Sequence, residues 1–553
     1  MSGSITLENR FGVNKMELIS LKYAIFVIVL LVLYYCFPKK YRWYVLLAGS
    51  MAYYVIICKW YVLFIIFTIC TTYGSTIWID KLLKKQNAIV KSHKEDWDRQ
   101  TRKEYKEKGR KKRVAVMLFA LLCNFGILAF LKYIPYAGEI GLLLPLGISF
   151  YTFQSMGYVM DVYREIVEPE KNFLKVALFV SFFPQIIQGP IAIYDKLAGQ
   201  LYEGHSLRLE NLQKGALLVL WGVMKKLVIA DRAVNIINFV MDKPMDFSGT
   251  YVFFAAVVYA LQLYADFSGG IDIVRGIAEM FGITMSTNFN HPYFSRSLTE
   301  YWHRWHMTLG DWCRNYIFYP LSISKRFLNF GKWLKPRFGA HISKVLPGCI
   351  ASVITFIVIG VWHGANMKYL YFGLWNGIVI MLAELFAPVS KKVAGGFFKL
   401  TGLREKGIFA TIVSVIWTFM LILVGYYFDI AANASTAFHM LFKSVTDFHI
   451  SELGINNIIL NLGACGLDEY DILLLIICTL LWFFISFVEE NKKLDMRDFI
   501  LSRKLPLRWA IIYLGIFIVI IFGYYGPGVN PADFVYMPVS YTHLRAHETE
   551  ADL

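Results

Sequence analysis

His363 is the residue of this chain whose surroundings best suit proton transfer. It lies in the string VWHGAN at 361–366, directly after the apolar run 350–360. An ionisable side chain at membrane depth is costly, so it marks a functional site by default. A neutral imidazole in a low-dielectric pocket can take a proton from a hydroxyl, and the following glycine allows close approach of another group. The alternative is a histidine that makes only a structural hydrogen bond.

Residues 301–316 hold a second concentration of reactive side chains. At 3.6 residues per turn, His303, His306, Gly310 and Cys313 share one face of a helix, while bulky residues occupy another. We expect the bulky face to pack and the imidazole face to line a cavity or tunnel. Metal ligation by this face is the weaker interpretation, because the spacing is not H-E-x-x-H and no second ligand pair lies nearby. We therefore predict no metal site.

Charged residues near these histidines have two interpretations. Arg304 and Arg314, with Asp311 between them, either form ion pairs or contact phosphate, and ion pairing is favoured. Asp266 and Asp272 interrupt an apolar stretch, and paired carboxylates could serve acid–base chemistry or cation binding. Six residues apart they do not share a face of a continuous helix, so we expect capping and bonds to neighbouring helices. The chain has no G-x-S-x-G, Walker or dinucleotide-binding motif. Hydrolase, ATPase and dinucleotide-enzyme functions therefore lack support.

The elements that must position these residues are membrane helices. Of 553 residues, 57% are hydrophobic, 17% aromatic and 17% charged, and the mean hydropathy is +0.49. A soluble protein has about 45–50% apolar and about 25% charged residues. We predict an all-α polytopic membrane protein with roughly 11–14 transmembrane or re-entrant helices. Irregular backbone at membrane depth needs surrounding protein or a cavity, so a site is expected near the broken segments 144–147, 184–190 and 288–320.

The net charge of +16 is concentrated in one hydrophilic segment. Residues 81–113 hold fourteen Lys or Arg and five Asp or Glu, a net +9. We predict a solvated cytoplasmic loop beside anionic headgroups, which fits the positive-inside rule together with the basic turn 39–42. Nucleic-acid binding is not expected, because no recognisable module surrounds the basic residues.

Five strings in this chain resemble the membrane-bound O-acyltransferase (MBOAT) superfamily, most closely its bacterial alginate O-acetyltransferase branch. They are LPLGISFYTFQ at 144–154, QGP at 188–190, YADFSG at 264–269, RWHMTL at 304–309 and WHG at 362–364. The resemblance implies the MBOAT fold, with helices around a central funnel, in a single membrane domain at 16–537. We expect residues 1–15 to be a non-native or disordered extension, and 538–553 to be a read-through tail.

The resemblance also implies roles for individual residues. His363 corresponds to the principal catalytic histidine, and His306 to the second histidine, in proton transfer or substrate orientation. We expect Asn366 to stabilise the oxyanion as a neighbouring amide donor. The residues expected to contact substrate are Arg304, Trp305, Asn366, Gln154, Asp266 and Ser268.

The expected function is O-acyl transfer in the cytoplasmic (inner) membrane of a bacterium. The donor would be acyl-CoA or the acyl-phosphopantetheine of a carrier protein, with no bound cofactor. The acceptor would be a hydroxyl of an exported polysaccharide, or of an extracytoplasmic SGNH-type relay partner. D-alanyl transfer toward teichoic acid is the alternative within the family. A proton-coupled transporter or flippase, with Asp266, Asp272, His306 and His363 as relay, is the alternative outside it, although no internal repeat is visible.

Overall fold

The computed structural model describes residues 18–525 apart from 135–141, 143, 402–403, 405–406, 455–456 and 458–464. These described residues form helices and no strands. The predicted all-α class is therefore confirmed. The predicted extension 1–15 and tail 538–553 lie outside the described residues.

Two compact units make up the described residues. Residues 18–220 and 270–286 form the first unit, and residues 221–269 and 287–525 form the second. The first contains helices α1 Leu21–Cys36, α2 Arg42–Cys58, α3 Val62–Ser92, α4 Arg99–Tyr133, α5 Ile148–Tyr163, α6 Phe173–Ser181, α7 Phe183–Gln188 and α8 Tyr194–Tyr202.

One glycine of the first unit allows two helices to pack closely. Gly147, which precedes α5, has a φ of +70°, and a Cβ there would meet the Ile186 carbonyl oxygen at 2.2 Å. Only glycine combines this left-handed backbone with so close an approach. Residues 144–147, which the sequence predicts to interrupt a helix, therefore lie at the packed junction between α5 and α7.

The basic segment 81–113 is a helical hairpin, and the prediction of a loop was wrong. Helix α3 continues to Ser92, and α4 begins at Arg99 after Asp98 caps it through the Thr101 amide at 2.9 Å. Lys, Glu, Gln and Arg are strong helix formers, so a charged sequence with no Pro before α4 extends the helices that flank it. We refer to residues 81–113 as the basic hairpin.

Two helices, α9 Leu209–Met224 and α11 Gly249–Met280, each contain residues assigned to both units. Between them in the chain lie a π-helical turn at Lys225–Ala230 and α10 Asp231–Met241. The second unit continues with α12 Leu298–Arg304, α13 Met307–Cys313, a π-helical turn at Arg314–Phe318, α14 Tyr319–Ser322, α15 Lys325–His363, α16 Met367–Leu385, α17 Ala387–Thr401, α18 Ile408–Ile430, α19 Ala434–Thr446, α20 Glu469–Lys492, α21 Met496–Leu501 and α22 Leu505–Phe522.

Glycines bring α15 and α16 into close contact. A Cβ at Gly360 would lie 2.3 Å from the Tyr369 carbonyl oxygen, and one at Gly373 would lie 2.4 Å from that of Phe356. Small residues let helix backbones approach in this way, which is how membrane helices gain packing energy. The pair therefore fixes the end of α15, where His363 lies.

Seven helices of the described part are long and apolar enough to cross a membrane, or eight if the pair α16 and α17, bent by 65°, counts as one span. Several predicted apolar runs form shorter helices, such as α1 and the pair α6 and α7, which explains the smaller number. The seven lie within Lys39–Ser92, Arg99–Tyr133, Gly249–Met280, Lys325–His363, Ile408–Ile430, Glu469–Lys492 and Leu505–Phe522.

Candidate active site

A break in the backbone of the second unit places His306. Helix α12 ends at Arg304, Trp305 is extended, and His306 adopts a left-handed conformation with φ 44° before α13 begins. The predicted continuous helix over 301–316, with His303 and His306 on one face, was therefore wrong. Residues 288–290 replace the missing helical bonds, since Asn290 donates its amide to the Arg304 carbonyl and Met307 donates to that of Asn288, both at 2.9 Å.

Asn288 sets the protonation pattern of His306. Its Oδ1 accepts from the Thr308 amide at 3.1 Å and the Thr308 hydroxyl at 2.9 Å, and it lies 3.2 Å from Nδ1 of His306. The Thr308 amide can only donate, so the Asn288 atom facing it is the oxygen, and Nδ1 must carry the imidazole proton. The lone pair of the ring is therefore on Nε2.

Burial keeps His306 neutral. The side chain is 3% exposed and lies outside the candidate spans. Burial, with a smaller contribution from neighbouring His363, lowers the pKa of His306 to about 3. The ring stands edge to face against Phe267, with centroids 4.9 Å apart. His306 is therefore an uncharged hydrogen-bonding group at physiological pH and a weak proton acceptor.

His363 lies close to His306, with Trp362 beside both rings. The Trp362 ring is 6.2 Å from that of His306 and 4.8 Å from that of His363. His363 is the last residue of α15 and is half-buried, and its ring stacks with Tyr369 at 6.0 Å. A Cβ at Gly364 would lie 2.5 Å from Cε2 of Tyr369, so this glycine makes the stacking contact possible. The two predicted histidines therefore come together.

Arg304 and Trp305 are engaged in packing. Arg304 pairs with Glu300 at 2.7 Å and Glu490 at 3.0 Å, so the favoured interpretation as an ion pair holds with different partners. Asp311 pairs with Arg314. Trp305 is buried and stacks on Tyr301 at 5.7 Å. Both residues support the break that carries His306, and their predicted contact with substrate stays a prediction.

Asn366 uses both ends of its amide locally. Its Oδ1 accepts from the Lys368 amide at 3.1 Å and caps α16, while Nδ2 lies 3.4 Å from the Ala432 carbonyl oxygen. The side chain is exposed. An oxyanion role for Asn366 would require Nδ2 to leave Ala432, and that role stays a prediction.

Asp266 and Ser268 bind buried lysines. Lys226 Nζ lies 2.7 Å from Asp266 and 2.9 Å from Asp231, and Lys225 donates to Ser268 at 2.8 Å. Helix α11 runs unbroken through this stretch, which agrees with the expected bonding between helices. Ion pairs of this kind satisfy charges that could not otherwise be buried. Asp266 and Ser268 thereby fix the turn of α11 that carries Phe267.

Gln154 belongs to the first unit. It is buried on α5 and donates to the Phe179 carbonyl at 2.6 Å.

The cluster of His, Cys, Asp and Glu that a metal ion would need does not occur among the described residues. Asn288 is not predicted from the sequence, because an asparagine 18 positions upstream of a histidine has no characteristic spacing. The broken segment 288–320 was the available signal.

Residues 169–335, which include His306, match the model of the MBOAT, membrane-bound O-acyltransferase family. The predicted resemblance is therefore confirmed. His363 lies beyond the matched residues.

Several relatives of this chain have names that describe acyl transfer. The chain is 30% identical to a "probable alginate O-acetylase" of Pseudomonas syringae over 56% of this chain and 54% of the relative. It is 29% identical to the peptidoglycan O-acetyltransferase of Helicobacter pylori over 50% and 56%. It is also 26% identical to the teichoic acid D-alanyltransferase of Bacillus subtilis over 51% and 67%. The chain thus spans little more than half the length of the first two.

Proposed function

We propose that this protein is a membrane O-acyltransferase of a bacterial cytoplasmic membrane. It would move an acetyl or other short acyl group from a thioester, carried by coenzyme A or a carrier protein, to a hydroxyl. The proposal depends most on one observation: buried His306 and half-buried His363 meet around Trp362 in the second unit. The names of the relatives support the acyl class.

The two histidines have different parts in the proposed reaction. With a pKa near 3, His306 is too weak a base for neutral pH, so it orients the hydroxyl through Nε2. His363 is the general base. It takes the hydroxyl proton as the oxygen attacks the thioester carbonyl carbon. The carbon–sulfur bond then breaks, and the leaving thiolate receives that proton from the His363 imidazolium.

The acceptor is a hydroxyl of an exported polysaccharide or of an SGNH-type relay protein outside the membrane. Relatives named for alginate and peptidoglycan O-acetylation support a polysaccharide as the final acceptor. D-alanyl transfer toward teichoic acid is the second candidate, because a relative named for that reaction is covered over 67% of its length.

The test uses purified protein in lipid nanodiscs with an acetyl thioester labelled in the acetyl group. Transfer of label to a polysaccharide hydroxyl, with release of thiol, is the expected result. A D-alanyl thioester as the better substrate would favour the second candidate. Movement of an intact solute across proteoliposomes, without thioester consumption, would contradict an acyltransferase and favour a transporter.

A further inference from the structure

The basic hairpin presents a positive surface on rigid helices. Twelve of its fourteen Lys and Arg residues are exposed, Arg102 is half-buried and Arg113 is buried. Within it, Gln86 donates to the Lys106 carbonyl at 3.0 Å, and Gly109 leaves room for the Gln86 side chain. Arg113 donates to Gln86 from the same helix as Lys106. These contacts tie α3 to α4 and fix the helices from which the exposed charged side chains project.

The turn of the basic hairpin is packed as well. The Trp97 ring stacks on His93 at 4.8 Å and lies 5.0 Å from the Tyr105 ring. Asp98 caps the first turn of α4. A recognition surface that is ordered before binding loses less conformational entropy when a partner arrives.

The basic hairpin extends well beyond the apolar part of its helices. The apolar stretch of α3 ends at Ile79, and the helix continues to Ser92. At 1.5 Å per residue, those thirteen residues span about 20 Å. The headgroup layer is only about 5–8 Å thick, and charges separated by more than about 8 Å are screened at physiological salt. Headgroups therefore attract the base of the hairpin more than its tip.

One face of the hairpin forms an extended basic stripe. Arg99, Lys103, Lys106 and Arg110 follow one another at intervals of three or four residues along α4, and all are exposed. Residues at these intervals share a helix face. The four cover about 16 Å, a length suited to one acidic helix of another protein.

We propose that this stripe docks a water-soluble acidic protein, namely the carrier whose phosphopantetheine arm presents the acyl thioester. The inference rests on the proposed function and on the cytoplasmic side predicted for the hairpin. It makes a carrier protein the preferred donor, while free acyl-CoA would react without docking on the stripe. Complementary charge steers the carrier to the membrane and sets its on-rate, and it weakens as salt rises.

The test measures binding of an acidic acyl carrier protein bearing an acetyl-phosphopantetheine arm to the full chain in zwitterionic nanodiscs. The stripe variant combines R99E, K103E and K106E. The control variant combines K391E, K392E and K399E, which makes the same change of charge at exposed positions on α17. We expect binding to weaken about tenfold or more in the stripe variant and less than about twofold in the control.

Kinetics separate docking from catalysis. In the stripe variant, the KM for the acetylated carrier should rise about tenfold, while transfer from acetyl-CoA should be unchanged. Equal loss with both donors, or native-like carrier binding by the stripe variant, would overturn the proposal. So would hydrogen-exchange protection of 81–113 by anionic lipid but not by the carrier, which would assign the hairpin to the membrane. Charge-dependent binding without any transfer would leave docking standing and contradict the proposed function.

Discussion

At the residue scale, Asn288 and Thr308 are as important to the site as the histidines. Three hydrogen-bond contacts converge on the Asn288 carboxamide oxygen, and one of them fixes the tautomer of His306. A buried imidazole without that contact could place its proton on either nitrogen. The tautomer with its proton on Nε2 cannot accept a hydrogen bond from a substrate hydroxyl at that atom. Asn288 is thus a positioning residue in the proposed mechanism.

Two substitutions of Asn288 separate the effect of the His306 tautomer on activity from the effect of the His306 charge. We expect Asn288→Leu to lower kcat by about tenfold or more at every pH, because Nδ1 loses its acceptor. Asn288→Asp keeps an acceptor, but its negative charge raises the pKa of His306. Its activity should therefore match the native protein at high pH and fall as pH drops through the raised pKa. Identical pH profiles for native protein and Asn288→Asp would contradict this role.

The lowered pKa of His306 predicts a loss of stability in acid. The unfolded chain binds a proton near pH 6.5, whereas folded His306 binds one only near pH 3. The contribution of His306 to the free energy of unfolding is fully present above pH 6.5 and falls by about 1.4 kcal/mol per pH unit below it. The His306→Gln protein should therefore lose less stability between pH 7 and pH 5, by about 2 kcal/mol.

Thermal unfolding in detergent at the two pH values measures this difference. His341→Gln is the matched control, because it makes the same substitution at an exposed position on α15. An unchanged pH dependence in the His306→Gln protein would show that the imidazole is not buried neutral.

At the element scale, sequence periodicity predicted helices better than it predicted their interruptions. Apolar runs located α11 and α15, and the Pro and Gly strings located the irregular segments. Two predictions failed for local reasons. The basic hairpin is helical because polarity alone does not end a helix of strong helix formers. The break at Trp305 and His306 has no Gly or Pro to signal it, since backbone bonds from Asn288 and Asn290 create it. Contacts over such distances cannot be read from periodicity.

Glycine substitutions test the packing that fixes His363. A methyl group at Gly360 would collide with the Tyr369 backbone, so Gly360→Ala should destabilise the protein by about 1–3 kcal/mol. Gly348→Ala is the control on the same helix, because nothing lies within 4 Å of its Cβ, and it should be neutral or stabilising by up to about 1 kcal/mol. Thermal unfolding compares the two. Equal effects would show that close approach of α15 and α16 is unimportant.

At the scale of the whole molecule, charge and hydrophobicity are separated along the chain. More than half of the net +16 is in the basic hairpin, while the interior of the second unit contains paired charges and two neighbouring histidines. The sequence was sufficient to predict the membrane class, the resemblance to the MBOAT family and the two histidines that the structure brings together. It could not show that Asn288 holds His306 or that Lys226 pairs with Asp266, because these partners lie 18 and 40 positions apart in the chain.

Acyl transfer by His363→Ala in nanodiscs tests most directly whether His363 is the general base. It is measured in a single turnover with a labelled acetyl thioester and a hydroxyl acceptor. Removing a general base typically costs about 10²–10⁴-fold in rate, so transfer should fall by that factor while the unfolding temperature stays near the native value. His341→Ala, on the same helix, should transfer at the native rate. Native-rate transfer by folded His363→Ala would contradict general-base catalysis by His363.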